Sequence, residues 1–266
     1  MEDVFVNILG TLALLGISLA AYRLRATDFW GTASGFALGL LIAVTSGWAW
    51  VAVLIAFLVI GSGATKYRYQ FKLSIHAAED KRGARGIRNV VANGAVAAAI
   101  SVINYFEPNP LLAVLFVAAM SSAAADTLAT EIGLLSGQQP VLINRPSTFT
   151  PPGISGGVTT LGEVAGLLGS FLMAIVAVAL GVLGRSPTYV VVAALAGFVG
   201  CNVDSLLGST IQVLYKCAVC GTMTEKKVHC DQPTTWVKGW RAVGNNEVNL
   251  LSDVVAVAIA FLAFHA

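Results

Sequence analysis

Five acidic residues lie within or beside apolar segments of this sequence. They are Asp126, Glu131, Glu163, Asp204 and Asp253. No Lys or Arg lies inside those segments. A carboxylate near hydrocarbon is costly, so membrane proteins keep one only where it has a partner or a function. Because no basic residue shares these segments, we expect a bound cation as the partner, which predicts an acidic, metal-loaded site.

Two of the acidic segments have helical spacing. Asp126 and Thr130 are four residues apart and share one helix face, whereas Glu131 diverges from Asp126 by about 140°. Asp204 and Gln212 begin and end a second polar stripe. We predict that Asp126, Asp204 and Glu131 are the catalytic residues and the Mg²⁺ ligands, with Glu131 helping or orienting. The alternative is that these side chains only bond to or pack against neighbouring helices.

A glycine-rich turn precedes the sixth apolar segment. Gly156, Gly157 and Thr159 stand directly before this helix, whose free N–H groups and dipole would suit a phosphate. The turn lacks the Gly-Lys-Ser/Thr ending of a Walker motif. An ordinary helix entry is therefore the alternative to the phosphate-binding site that we predict.

The loop at about residues 63–93 is rich in basic residues. Such a loop commonly sets topology or binds lipid headgroups, and that is the simpler interpretation. Two asparagines four residues apart at the entry to the next segment are harder to explain in that way. We therefore predict phosphate or substrate binding by Lys66, Lys72, Arg88, Asn89 and Asn93.

The last apolar segment is preceded by three asparagines. Asn245, Asn246 and Asn249 surround Glu247 and lie close in sequence to Asp253. Asparagine is a good N-cap, so helix capping is one interpretation. Completion of a metal or nucleotide site is the other, and the residues by themselves leave both interpretations open.

A cysteine-rich segment lies between the last two apolar segments. Cys217, Cys220, His229 and Cys230 have the residue types of a structural zinc site. The adjacent His-Cys pair is less usual than a second spaced pair. Reduced thiols without a metal are the alternative to a zinc knuckle over residues 217–230.

The composition indicates lipid as the solvent. Of the 266 residues, 56% are hydrophobic and 11% are charged, whereas soluble domains carry about 25% charged residues. We predict one all-α integral membrane domain over residues 1–266 with about eight spans. The spans are expected at 4–22, 31–47, 48–65, 89–106, 111–136, 158–183, 188–213 and 248–265. Spans two and three alternatively form one re-entrant hairpin.

The basic residues predict a topology. With eight spans, the loops on one side carry all of the 16 Lys and Arg residues except Arg185. The positive-inside rule then makes the loops 66–88, 137–157 and 214–247 cytoplasmic and places both termini on the non-cytoplasmic side. All five acids would lie toward the cytoplasmic face, below basic loops, as a metal–polyphosphate site requires. The net charge of +2 does not indicate a nucleic-acid partner.

Four motifs together resemble one family. They are Asp126-Thr-x-Ala-Thr-Glu131-Ile-Gly, Gly156-Gly157-Val-Thr159, Asp204-Ser-x-x-Gly-x-Thr-x-Gln212 and Asn245-Asn246-x-Val-Asn249. In this order they resemble the phytyl-phosphate kinase family of tocopherol synthesis, which includes the transmembrane-protein-19-like proteins. The similarity extends from the Lys66 loop to the C-terminus. One departure is Asn245-Asn246-Glu247, where the family pattern has an acid first, and a metal role of that segment is not carried over.

The resemblance implies phosphoryl transfer from a nucleoside triphosphate, with CTP as a candidate donor, to phytyl or another prenyl monophosphate. It also implies that Asn245, Asn246, Asn249 and Gln212 belong to the substrate site. It implies Mg²⁺ as cofactor and a plasma, thylakoid or plastid-envelope membrane, with the active site facing the cytoplasm or stroma. A homodimer is compatible with it. Two other classes remain as alternatives: a cytidylyltransferase that forms a CDP-lipid, and a cation-coupled transporter or lipid flippase. The sequence lacks an evident cytidylyltransferase signature and an evident internal repeat.

Overall fold

Long apolar helices form the scaffold of the chain. A computed structural model describes residues 2–265, and the side chains of all of these except residues 2, 3 and 80. Residues 1 and 266, the ends of the predicted domain, lie outside the described residues. The helices are α1 (Glu2–Arg23), α2 (Phe29–Ser46), α3 (Trp48–Lys66), α4 (Tyr69–Ser74), α5 (Ile87–Phe106), α6 (Pro110–Gly133), α7 (Thr160–Ala179), α8 (Pro187–Thr210) and α9 (Asn245–His265). All except the short α4 are long and apolar enough to cross a membrane, which confirms the predicted all-α polytopic class.

Local sequence explains where several helices begin and end. The Asp28 carboxylate accepts a hydrogen bond from the N–H of Gly31 at 2.9 Å and caps α2. Asn109 caps α6 through the N–H of Leu111, also at 2.9 Å. Such caps satisfy N–H groups that the helix itself leaves free. Gly47, with a φ of +90°, separates α2 from α3, so spans two and three are separate helices of 18 and 19 residues.

Three spans end earlier than their hydrophobicity predicts. The prediction extended them to residues 136, 183 and 213, but α6 ends at Gly133, α7 at Ala179 and α8 at Thr210. Gly181 has a φ of +74° and turns the chain just after α7. At the end of α8, Lys238 Nζ donates to the carbonyl of Ser209 at 2.6 Å, which satisfies a terminal acceptor.

The central helix of the bundle is α6, and most of its residues are buried. It packs against α7, α8 and α9 on one side and against α5 and α3 on the other. Small residues allow this close approach. A Cβ atom at Gly162 of α7 would lie 2.8 Å from the carbonyl of Ala129, and one at Gly197 of α8 would lie 2.5 Å from Ser121 Cβ. Gly and Ser at helix contacts are typical of membrane bundles.

Short strands occur in the polar segments between helices. They are β1 (Val141–Leu142), β2 (Arg145–Phe149), β3 (Gly157–Val158), β4 (Leu214–Lys216), β5 (Met223–Thr224), β6 (Val228–His229), β7 (Gln232–Pro233) and β8 (Thr235–Lys238). All pairings are antiparallel: β1 lies between β2 and β3, β4 lies between β5 and β8, and β6 pairs with β7. The strands contribute little to the core and mainly fix the loops.

The polar loops meet at one end of the bundle. Gly153 packs on Ala77, since a Cβ at this glycine would lie 3.0 Å from the alanine Cβ. Ser155 Oγ donates to Glu225 Oε1 at 2.6 Å, which joins the segment before α7 to the segment after α8. The cytoplasmic position of this end stays a prediction.

Candidate active site

Carboxylates from three helices approach one another inside the bundle. Asp126 on α6, Asp204 on α8 and Asp253 on α9 lie within electrostatic range of one another. Asp204 and Asp253 are buried, with exposed fractions of 7% and 1%, and Asp126 is half-buried. Like charges at this depth repel, so the three acids require protons or a cation as compensation. The sequence predicted Asp126 and Asp204 as a pair, and the fold adds Asp253.

The first turns of α9 supply donors to Asp204. Ser252 Oγ donates to Asp204 Oδ2 at 3.0 Å. The amide nitrogen of Asn249, in the orientation that satisfies both ends of the amide, donates to the same oxygen at 3.2 Å and to the carbonyl of Asn245 at 2.8 Å. Asn249 therefore orients Asp204, and the asparagine segment reaches the acids that the sequence associated with it.

Asp253 has an oxygen without a well-formed hydrogen bond. Its Oδ2 atom is buried and has no partner of good geometry, and the hydroxyl close to this carboxyl group is that of Ser122 on α6. Buried polar atoms are normally satisfied, because an unpaired one costs free energy comparable to a lost hydrogen bond. Oxygen atoms of this kind suit a hard divalent cation such as Mg²⁺, although among the described residues Asp126, Asp204 and Asp253 do not form a compact three-ligand group.

Glu131 has a basic partner instead. Lys72 on α4 is fully buried, and its Nζ lies 2.6 Å from Glu131 Oε2 and 2.7 Å from the carbonyl of Ala64. A buried carboxylate held by an ammonium has little need of a metal. Within the part of the chain that the structure describes, Asp126, Asp204 and Glu131 do not form a compact three-ligand group. Glu131 therefore holds α4 in place against α6 through Lys72. The Lys72 ammonium is buried in this pair and does not face an open phosphate site.

Arg85 is the basic residue nearest to the three acids. Its guanidinium lies over the Phe57 ring at 5.1 Å, and Nη2 lies 3.5 Å from Thr127 Oγ1. Burial lowers the pKa of this guanidinium, and the carboxylates of Glu79, Glu131 and Asp126 oppose that shift. An arginine keeps its charge in proteins, so Arg85 is a fixed cation beside Asp126.

The backbone around Arg85 is fixed on both sides. Its N–H donates to the carbonyl of Ala26, and its carbonyl accepts from the N–H of Asp28, both at 3.0 Å. In α3, Gly61 leaves the space that the guanidinium fills, since a Cβ there would lie 2.6 Å from Nη2 of Arg85. The side chain is therefore directed from the loop into the bundle.

The expectation that the acids have no basic neighbours is wrong. Lys72 and Arg85 both reach them from the loop between α3 and α5. The apolar segments alone did not reveal this, because a long side chain can enter a bundle from a residue outside it. Gly61 was the one sequence feature that could have indicated the inward position of Arg85, because a small residue in a helix allows another group to approach closely.

The other predicted basic residues face outward. Lys66 is exposed, and its Nζ donates to the carbonyl of Leu24. Arg88 is exposed and pairs with Glu247 at 3.0 Å, which links the start of α5 to the start of α9. Their phosphate-binding role stays a prediction, and so does that of Asn246.

An apolar cleft opens next to Arg85. Residues of α1, α2, α3 and α5 line it, and its cavity volume is about 70 Å³. Its apolar wall includes Leu14, Ile17, Leu38, Leu54, Leu58 and Val90. This volume is below the range of about 300–1,000 Å³ for small-molecule sites, so a lipid tail would enter the cleft only with movement of the side chains that line it.

The loop end of the cleft is polar. Arg85, Asn89, Asn93 and Thr27 lie there. Asn93 Nδ2 donates to the carbonyl of Asn89 at 2.9 Å, and Asn89 Oδ1 is buried without a partner. The predicted residues Asn89 and Asn93 therefore lie together at the polar end of the cleft, next to Arg85, and the rest of the cleft is apolar.

The glycine turn packs against the end of α8. Gly156 has a φ of +84°, and a Cβ there would lie 2.5 Å from Ser209 Cβ. The N–H of Gly157 already donates to the carbonyl of Ile154 at 3.0 Å. Thr159 caps α7 through the N–H of Gly162 at 3.1 Å. Helix entry and packing account for this turn, and its binding of phosphate stays a prediction.

Gln212 lies in a polar contact with the same turn. Its Nε2 donates to Ser155 Oγ at 2.8 Å and to Glu225 Oε1 at 2.5 Å. Burial raises the pKa of Glu225, and the hydrogen bonds from Ser155 and Gln212 oppose that rise. We call Ser155, Gln212 and Glu225 the polar clasp. Gln212 therefore holds the turn before α7, and a direct contact with substrate stays a prediction.

Comparison with protein families gives one match that covers most of the chain. The family described as Integral membrane protein DUF92 matches residues 12–257. The chain belongs to this family. This match confirms the predicted similarity to an integral membrane family along nearly the whole chain.

Relatives of this DUF92 protein occur in several organisms. It is 30% identical to the uncharacterized membrane protein sll0875 of Synechocystis sp., over 69% of this chain and 71% of the relative. It is 30% identical to Protein VTE6, chloroplastic, of Arabidopsis thaliana, over 75% of this chain and 60% of the relative. It is 27% identical to Protein PGR of Arabidopsis thaliana, over 93% of this chain and 92% of the relative. No solved structure matches the chain.

Proposed function

We propose that this DUF92 protein is a membrane-embedded kinase that transfers a phosphoryl group from a nucleoside triphosphate to a prenyl monophosphate and forms the diphosphate. One observation carries the proposal: Arg85 lines the apolar cleft and also lies within electrostatic range of Asp126. A lipid phosphate has an apolar tail and an anionic head, and these two surroundings meet at this arginine. The motifs shared with the phytyl-phosphate kinase family support the same activity.

The acceptor fits this arrangement in two parts. Its tail would occupy the cleft between α1, α2, α3 and α5, and its phosphate would lie at Arg85 and the Asn89 amide. A guanidinium binds phosphate through a planar fork of N–H donors. The attacking phosphate oxygen is already ionised near neutral pH, since the second pKa of a phosphate monoester is about 6. The reaction therefore requires positioning and charge neutralisation, with no strong general base.

Asp126 and Asp204 would hold Mg²⁺, with Asp253 as a third oxygen donor. When bound, the ion neutralises the charge of the donor phosphates and orients them. Ser252 and Asn249 hold Asp204 Oδ2, which directs that carboxylate toward the centre of the bundle. The pair of Lys72 and Glu131 holds the loop that carries Arg85.

The finer assignments belong to the same proposal. CTP is the candidate donor, and phytyl phosphate is the candidate acceptor. The site faces the cytoplasm or stroma, where nucleotide is available, from a plasma, thylakoid or plastid-envelope membrane. One relative is described as chloroplastic, which supports the plastid option. This chain spans 60% of that relative's length.

Purified protein in detergent tests the activity directly. We would supply Mg²⁺, labelled ATP, GTP, CTP and UTP in turn, and prenyl monophosphates of several chain lengths. The expected products are a prenyl diphosphate and a nucleoside diphosphate. Release of pyrophosphate with a CDP-lipid would assign a cytidylyltransferase instead, and ion uptake by liposomes without nucleotide consumption would assign a transporter.

A matched pair of variants ties the activity to the acids. Asp126→Asn should abolish turnover and leave a folded, extractable protein. Glu107→Gln removes an exposed acid at the far end of the bundle and should retain wild-type turnover. Full activity of the Asp126 variant would refute the assignment of this residue.

A further inference from the structure

The segment between α8 and α9 has little to hold it together. It contains β4 to β8, each only two to four residues long. Most of its side chains are exposed, and its buried ones are confined to the start, Gln212 to Tyr215 and Cys217. A small unit of this kind lacks a hydrophobic core of its own, and such units are commonly stabilised by a disulfide or a metal.

Four ligand atoms come together in this segment. The sulfur atoms of Cys217, Cys220 and Cys230 and a ring nitrogen of His229 all lie within 4.8 Å of one another. Nδ1 of His229 lies 3.5 Å from Cys220 Sγ and 3.3 Å from Cys230 Sγ. Zn–N of about 2.0–2.1 Å and Zn–S of about 2.3 Å in a tetrahedron give N···S edges of about 3.5 Å. The two observed N···S distances, 3.5 and 3.3 Å, are close to this edge length.

The backbone around the first two cysteines forms a tight turn. The N–H of Gly221 donates to the carbonyl of Cys217 at 3.0 Å, and the N–H of Cys217 donates to the carbonyl of Thr222 at 2.9 Å. Gly221 has a φ of +73°, a conformation that glycine adopts without strain. Cys217 and Cys220 thereby point toward the same side.

The other two ligands lie at a hairpin. His229 pairs with Gln232, and Cys230 and Asp231 form the two-residue turn, with φ of +51° and +56°. Positive φ at both turn positions is expected for a two-residue hairpin, but the usual residues there are Asn, Asp and Gly. A cysteine in this conformation costs free energy, and bonding of its sulfur to a metal offsets that cost.

We propose that Cys217, Cys220, His229 and Cys230 bind one structural zinc ion. Three thiolates and one imidazole form a soft, closed, four-coordinate set, which is typical of structural zinc. A disulfide between two of the cysteines would leave the third thiol and the imidazole without a role. The zinc site is independent of the kinase proposal, because it shares no residue with the acidic site and requires neither nucleotide nor lipid.

Elemental analysis tests the site on the full chain. Protein purified in detergent with a reductant, and without added metal, should contain one zinc per chain. Cys230→Ser and His229→Ala should lose the zinc, whereas His229→Cys should retain it because a fourth thiolate replaces the imidazole. Cys201→Ser is the matched control: Cys201 is buried in α8 outside the group, and this variant should keep the wild-type zinc content.

A second measurement uses only the wild-type protein and therefore tests the site even if the variants fail to fold. Exchange of the metal in the wild-type protein for Co²⁺ should give the visible absorption of a tetrahedral, sulfur-rich site. The proposal is overturned if the wild-type protein holds no zinc, if Cys230→Ser keeps it, or if mass spectrometry without reduction finds two of these cysteines as a disulfide.

Discussion

Lys72 Nζ lies 2.6 Å from Glu131 Oε2, so a buried ion pair ties the short loop helix α4 to the central helix α6. Removal of one partner leaves the other charge buried with incomplete compensation, which typically costs about 3–5 kcal/mol. We expect Glu131→Gln and Lys72→Met each to lower the free energy of unfolding by this amount. The double variant should recover much of the loss. Thermal or denaturant unfolding in detergent measures all three.

The exposed pair of Lys81 and Asp28 is the control for this experiment. It has a similar distance of 2.9 Å, but 68% of the lysine side chain is exposed. Exposed pairs contribute about 1 kcal/mol or less, so Lys81→Met should change stability little. Equal stability of wild type, Glu131→Gln and Lys72→Met would contradict the structural role of the buried pair.

Arg85 should not be replaceable by lysine. A lysine keeps the charge but loses the planar fork and the contact with the Phe57 ring. We expect Arg85→Lys to lower kcat/KM for the prenyl monophosphate by at least about tenfold, since hydrogen bonds to charged groups contribute about 1.5–3 kcal/mol. Arg185→Lys is the matched change at an exposed arginine between α7 and α8 and should be nearly neutral. If the control variant lost more kcat/KM than Arg85→Lys, the assignment of the acceptor phosphate to Arg85 would be wrong.

Filling the cleft should affect the lipid tail selectively. Gly35 lines the cleft, and a Cβ there would find Val90 Cγ1 at an ordinary contact of 3.7 Å. Gly35→Leu should therefore fold and occupy the space of the tail. KM for prenyl monophosphates should rise, more for long chains than for short ones, while KM for the nucleotide stays unchanged. Gly16→Leu, at an exposed position of α1 with nothing near its Cβ, should leave both KM values unchanged.

The ionisation of Asp28 should make the free energy of unfolding depend on pH in the acidic range. The N–H of Gly31 and then the ammonium of Lys81 hold the pKa of Asp28 below its ordinary value of 3.8. A lowered pKa in the folded state means that the ionised form stabilises the fold above pH 3.8, and that this contribution is lost as pH falls through the lowered pKa. Asp28→Asn keeps a capping oxygen but cannot ionise.

The comparison of melting temperatures of wild type and Asp28→Asn across pH tests this. Wild type should be the more stable protein at neutral pH, and the difference should disappear in acid, below the lowered pKa of Asp28. Lys81→Met removes the second cause of the shift and should narrow the difference. A difference that is constant over the whole pH range would contradict an ionised Asp28.

The sequence predicts the helical scaffold well, because the length of an apolar segment and the turn residues at its ends are local features that determine each helix. Gly47 and the Asn109-Pro110 pair mark helix boundaries, and the eight spans follow from segment length. Asp126, Asp204 and Asn249 were also accessible, because an intramembrane acid or amide requires a partner. The ends of α7 and α8 were missed, since apolar residues continue beyond the point where Gly181 and Lys238 terminate these helices.

The contacts of the loop between α3 and α5 were not accessible from the sequence. Lys72 and Arg85 are two of many basic residues in one loop, and spacing does not indicate which of them fold inward. That choice depends on tertiary features such as the space beside Gly61 and the position of Glu131 on α6. The assignment of Glu131 as a metal ligand assumed that no ammonium could reach it.

The polar clasp has a consequence for the order of assembly. Ser155 precedes α7, and Glu225 follows α8, 70 positions later in the sequence. A nascent chain cannot close this contact until Glu225 has left the ribosome, after both helices have been synthesised. Until then, α7 and α8 are held against α6 by the close fit of their glycines and by the hydrogen bonds of Ser121 and Ser170. A translocon that released either helix early would leave the polar clasp unformed.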